Sequence, residues 1–284
     1  MNKKLLGVMG ISGAILLGSV YSISANTSGY ELYKAALKQT HEAGSATMSI
    51  DFKLEDNNQS LMSANALYKA DMKNQVSAMT SELANDKETS KMNMYKQDGS
   101  WYVEKEGVDS VYKMEMSKNP HHKNTTELKD DMEKLIDVTT KNLQQQITVA
   151  EKNGTHSIDL DLTGKEIPLS VNALSSLMIK HAVMIQDGSE QESSEFHITP
   201  AIPELDHDIT VKQIKIAADV NKENYVEKQT VKVVVTGKDS KGKNHELVLS
   251  FSMKVSDYNK TSVTPVEIPV ENVVEFDHGT GGHK

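Results

Sequence analysis

The chain has 284 residues, no cysteine, 31 basic against 40 acidic residues, and a net charge of −9. Without cysteine there are no disulfides, no thiolate catalysis, no Cys-ligated zinc and no cysteine to carry a lipid anchor. Every basic residue other than histidine is lysine. An acidic chain without the arginine fork is ill suited to nucleic acid and is weakly repelled by an anionic membrane surface.

The N-terminus has the three-part layout of a secretory leader: Lys3 and Lys4, an uncharged apolar or small-residue run from Leu5 to Val20, then polar Ser22 and Ser24 before Ala25. Cleavage is expected after Ala25, or after Ser24. The alternative is an uncleaved anchor, since the run is close to the ~17 residues that span a bilayer. Either way the remainder is expected outside the cytoplasm, secreted or in the cell envelope, and membrane contact is transient unless the leader is retained. The expected division is a signal peptide over 1–25, one domain over 26–270 and a flexible tail over 271–284.

Tyr30 to His41 places Tyr30, Leu32, Tyr33, Ala36 and Leu37 near the helical period, with Thr27 or Ser28 as N-cap. The period then becomes two. Met48, Ile50, Phe52 and Leu54 alternate with Thr47, Ser49, Asp51 and Lys53, a strand with one wet face, and Asp56-Asn57-Asn58 is a turn. Strands are expected over Leu61–Met72 and Val76–Leu83, joined through Lys73-Asn74. Two more, over Thr89–Gln97 and Trp101–Glu104, are joined by a strong hairpin signal at Asp98-Gly99, and another follows over Val108–Met116.

After Asn119-Pro120-His121-His122 the pattern predicts a helix over about Thr126–Gln146, with Leu128, Met132, Leu135, Ile136, Thr139 and Leu143 on one face. A hairpin over Thr148–Glu151 and Thr155–Leu162 turns at Asn153-Gly154. A second, more apolar helix is expected over Ser170–Ile185, after Pro168. Three long strands follow: Ile209–Val220, Tyr225–Gly237 and His245–Val255. Alternating strands need one covered face, and the middle helices are the available cover. The fold class is therefore α+β: one curved antiparallel sheet with helices on its concave face. Two subdomains joined near residue 190 are the alternative.

This order resembles the lipoprotein-carrier superfamily, the LolA-like and LppX/LprG-like half-barrels, and Gram-positive envelope proteins of the same plan. The resemblance rests on Gly29 to Leu37, a short helix ahead of the first alternating strand. It rests also on Phe251 to Asn259 followed by Val263 and Pro265, which looks like the closing hairpin of these families. It implies a half-barrel holding acyl chains between the concave face and the helices. The missing anchor cysteine departs from the tethered members.

Composition is compatible with an adaptable apolar lining: there are 14 methionines and only four phenylalanines. Met48, Met62, Met72, Met79, Met92, Met94, Met114, Met116, Met178, Met184 and Met253 fall in expected sheet or covering helix. Methionine suits both gap-filling in a core and surfaces that adapt to varied apolar ligands. Neither motif nor spacing supports catalysis or metal binding. No HExxH, GxSxG or calcium-loop pattern stands in the chain after the leader. His121-His122 diverge, His278 and His283 sit in a glycine-rich tail, and Asp159, Asp161, Asp206 and Asp208 read as wet faces. Trp101 and Tyr102 read as cross-strand packing or as an exposed contact for a partner.

The leading expectation is an exported binding protein, not an enzyme and without a cofactor, holding a lipid or other apolar ligand. Its candidate ligand-binding residues are Met48, Ile50, Phe52, Leu135, Leu174, Met178, Phe251 and Met253. A solid-cored interaction or sensor module meeting another envelope protein is the alternative, and an uncharacterised hydrolase is a third reading.

Overall fold

The computed structural model describes residues 29–115, 144–173 and 202–275. Helix α1 spans Gly29–His41, with Glu31 in its first turn and Lys38 and His41 in its last, the charge order that the helix dipole favours. Tyr33 and Ala36 are its buried residues, and Leu32 and Leu37 share their face.

Among the described residues, twelve strands form one open sheet. They are β1 Ser45–Asp56, β2 Gln59–Asp71, β3 Val76–Asn85, β4 Thr89–Gln97, β5 Ser100–Lys105, β6 Val111–Glu115, β7 Thr148–Lys152, β8 Thr155–Thr163, β9 His207–Val220, β10 Val226–Lys238, β11 Asn244–Ser256 and β12 Val273–Glu275. The spatial order is β12-β6-β5-β4-β3-β2-β1-β11-β10-β9-β8-β7. Every pairing is antiparallel except β12 on β6. Two meanders, one from each half of the chain, are thus stitched together by β1 and β11, and this continuous sheet replaces the alternative of two subdomains.

Local chemistry sets the hairpins. Asn57-Asn58, Asp98-Gly99 and Asn153-Gly154 each put two successive residues at positive φ, between 49° and 78°. That is the two-residue turn whose twist matches a β-hairpin, and Asn, Asp and Gly tolerate it best. The β2–β3 turn closes differently: the Asp71 carboxylate accepts hydrogen bonds from the Asn74 amide at 3.1 Å and its side chain at 2.7 Å. These bonds hold the Asp71 carboxyl below the ordinary carboxylate range. Met72, expected in a strand, lies in this turn and is 59% exposed.

Side chains alternate between two faces, here called inner and outer. Three clusters of buried apolar residues line the inner face. One joins Leu160, Leu162, Val211, Ile214, Val235 and Leu247 to Ile167, Val171 and Leu205. Another joins Tyr33 and Ala36 of α1 to Ile158, Ala218, Val220, Val226 and Val231. The third joins Phe52, Leu54, Met62, Ala64 and Leu83. α1 therefore lies on the inner face over the β8–β10 half. The chain re-enters helix at 169–173 after Pro168, where the second helix was expected, and Val171 packs on the same half. Asn172 accepts a hydrogen bond from the Val211 amide at 2.7 Å, beside the irregularity in β9–β10 pairing. The rest of that helix, and the one expected from Thr126 up to its last turn, lie outside the described residues. Gln144–Gln146 form a 3-10 turn.

At one end of the inner face His245 is buried, with Nδ1 2.8 Å from Asp56 Oδ2 and Nε2 3.5 Å from Asp239 Oδ2. It ties β1, β11 and the β10–β11 loop together. Gly237 lies nearby, and a Cβ there would stand 3.1 Å from the Leu205 side chain, which would have to give by a few tenths of an ångström.

Among the described residues no closing hairpin follows β11, against the expectation from Phe251 to Pro265. Residues 257–260 turn instead, tied down by several contacts. The Tyr258 ring stacks on Tyr225 at 4.2 Å, and its hydroxyl donates to the Val226 carbonyl. Asn259 accepts a hydrogen bond from the Gly44 amide at 2.8 Å. The chain then crosses the outer face as a strap. Thr261 meets Thr47 at 2.9 Å, and the Gln97 side chain donates to the Val266 carbonyl at 2.8 Å and accepts from its amide at 2.9 Å. Residues 273–275, within the segment expected to be a flexible tail, then form β12 on the edge of β6. Gln97→Ala is expected to release the strap at a cost of ~1–2 kcal/mol, two hydrogen bonds at a buried position. Hydrogen exchange should quicken at Val266 and through β12; unchanged protection there would mean that Gln97 does not hold it.

Candidate functional site: an apolar inner face rich in methionine

Strand register brings five of the candidate residues together. Phe52 pairs with Phe251, Ile50 with Met253 and Met48 with Val255, all on the inner face. Phe52 is buried in its cluster with Leu54 and Met62, as floor; Met48, Ile50, Phe251 and Met253 are half-buried. Leu135, Leu174 and Met178 lie outside the described residues, as do Met116 and Met184.

Following the pairs outward extends this surface well beyond those five. One row runs Val255, Met48, Tyr68, Met79, Met94, Val103, Tyr112 across seven neighbouring strands. The next runs Met92, Ser81, Ala66, Ile50, Met253, Gln229, Ala218. Met62 lies in the same face beside Leu54, and Met114 opposite Trp101. Methionines that are scattered in the chain thus fall on one surface, because each stands at the inward parity of its own strand. Trp101 faces inward; Tyr102 faces outward, opposite Tyr95 and Lys113, and the Tyr95 hydroxyl donates to Glu104 at 3.2 Å.

The two faces differ in charge. The inward positions of β1 from Met48 to Leu54, β2 from Met62 to Ala70, β3 from Ser77 to Leu83, β10 from Gln229 to Val235 and β11 from Leu247 to Val255 include no Asp, Glu, Lys or His. Inward charge appears further out, at Lys96 and Lys105. The outer face carries Asp51, Lys53, Lys215 and Lys232, which line an open hollow of about 480 Å³ with Ser63, Thr230, Ser250 and Ser252. Lys53 is 2.7 Å from Glu55, and Lys215 is 3.5 Å from Asp161, which also accepts from Gln213 at 3.0 Å. The alternating aspartates of β8 are therefore the wet side of the sheet. Asp208 lies 2.7 Å from Lys238, whose ammonium holds its carboxyl below the ordinary range.

Within the apolar inner layer some polar atoms are buried with no hydrogen-bond partner among the described residues: the Gln229 Oε1, the Tyr33 hydroxyl and the hydroxyls of Ser77, Ser81 and Ser90. Such an atom costs ~1–3 kcal/mol when nothing satisfies it. Burial pushes the Tyr33 hydroxyl far above its ordinary pKa, so it stays protonated and can donate. Gln229 was not among the sequence candidates. Its stretch, Val226 to Thr230, is mostly polar, although Gln229 is in phase with Val231, Val233 and Val235 on the inner face.

Among the described residues no group of three or more His, Asp or Glu is placed to hold a metal ion. No described helix is long and apolar enough to cross a membrane. The histidines of the 121–122 pair and of the tail lie outside the described residues.

No family model matches the chain, and no curated protein matches it. Among solved structures, a LolA superfamily protein from Nitrosomonas europaea is similar at 9% identity, over 80% of this chain and 93% of that chain, with a TM-score of 0.23. Strand order, register and burial therefore carry the functional reading.

Proposed function

We propose that the protein is an exported, non-catalytic carrier or binding protein that holds a lipid acyl chain or another apolar ligand against the inner face. The leader-like N-terminus supports export. The observation that carries the binding reading is the uncharged inward surface of β10, β11, β1, β2 and β3, populated by Met48, Met62, Met79 and Met253. Flexible thioethers adapt to acyl chains of varied shape, and an uncharged surface spares the ligand any desolvated ion. Leu135, Leu174 and Met178, expected on helices facing the sheet, lie outside the described residues. Membrane contact would be transient, at loading and unloading.

Mass spectrometry of material extracted from the purified secreted protein should find a co-purifying lipid, and a fluorescent fatty acid should bind with micromolar affinity. A protein that carries nothing, and to which no apolar probe binds, would leave the alternative: an envelope interaction module with a solid core.

A further inference from the structure

We infer that the ligand of the inner face carries an uncharged hydrogen-bonding group, a hydroxyl, ester or amide, seated at Gln229 and Tyr33; this rests on the binding reading above. Gln229 is 1% exposed, yet its Oε1 has no hydrogen-bond partner among the described residues. It sits between Met253 and Ala218 in one cross-strand row, and Val231 follows it on the same face. Tyr33 belongs to the cluster that contains Ala218 and Val231, so α1 brings a second buried, unpartnered polar atom to the surroundings of the first. An amide oxygen accepts and a phenol donates or accepts, so the pair suits a neutral group that does both.

Charge complementarity argues against an ionised head. The inward positions around Gln229, namely Val231, Met253, Phe251 and Ala218, offer no cation to a carboxylate or phosphate. An anion there would be desolvated without compensation, whereas a hydroxyl needs only the two orphaned atoms. From Gln229 the row continues through Met253, Ile50 and Ala66 to Ser81, a run of apolar side chains about 19 Å long at ~4.8 Å per strand. The polar group would mark one end of that run and the hydrocarbon would lie along it.

The test is competition against a polarity-sensitive fluorescent dye by decane, 1-decanol and decanoate at neutral pH. Wild-type protein should bind 1-decanol about tenfold more tightly than decane, one good hydrogen bond's worth, and more tightly than decanoate. Gln229→Met and Tyr33→Phe should each bring the affinities for decanol and decane to within about twofold of each other. Gln229→Met exchanges a buried amide for an apolar side chain of similar size, and the unliganded variant should melt no lower than wild type. Equal wild-type affinity for decane and decanol, or a preference that survives in both variants, would overturn the anchor while leaving the apolar site standing. Failure of dye and all three compounds to bind would remove both readings together.

Discussion

Ile50→Asp is expected to weaken binding of a fluorescent fatty acid by about a hundredfold or more, while Ser49→Asp leaves it within about twofold of wild type. The two residues are neighbours in β1, but Ile50 faces inward opposite Met253 and Ala66, and Ser49 faces outward opposite Lys254 and Leu67. In the unliganded protein a carboxylate at position 50 keeps part of its hydration, because the position is half-buried. Under a bound acyl chain it loses that hydration with no cation beside it, so the cost falls mainly on the complex. Circular dichroism and titration of both variants make the comparison. Equal losses at 49 and 50 would show that the ligand does not lie on the inner face.

The largest stability effect is expected at Leu162, which is fully buried in the cluster that joins β8, β9, β10 and β11 to Ile167, Val171 and Leu205. Leu162→Ala removes a side chain from a closely packed site and leaves a cavity, a loss of ~3–5 kcal/mol. The melting temperature should fall by roughly 6–20 °C for a domain of this size. Leu169, 86% exposed and only a few residues away, should tolerate alanine within ~0.5 kcal/mol. Denaturant titration of the two variants tests whether the segment after β8 is clamped to the sheet; a loss under ~1 kcal/mol at Leu162 would mean that it is not.

Much of the sheet was legible because short-range chemistry dictates it. The alternation from Leu247 to Val255 sets β11, and Asp98-Gly99 and Asn153-Gly154 set two hairpins to within a residue or two of their observed ends. Pro168 marked the return to helix, where 169–173 follow. Met72 and the segment after Asp257 depart from the simple alternation because side-chain hydrogen bonds beside them redirect the chain. Asp71 to Asn74 pulls Met72 out of β2, and Asn259 to Gly44, with Gln97 to Val266, draws the chain across the outer face.

What the amino-acid order determined by itself is local: which residues alternate, where turns bend, and that Met48, Ile50 and Phe52 share a side of their own strand. Which strand lies beside which was decided only in three dimensions, since pairing β1 with β11 joins residues about 200 positions apart and no local preference selects that partner. That pairing makes one surface of Ile50, Met253 and Gln229, which continues the inward alternation of Val231, Val233 and Val235. A one-residue shift between strands moves a side chain to the opposite face of a sheet, so the apolar neighbours that surround that polar side chain are a product of register.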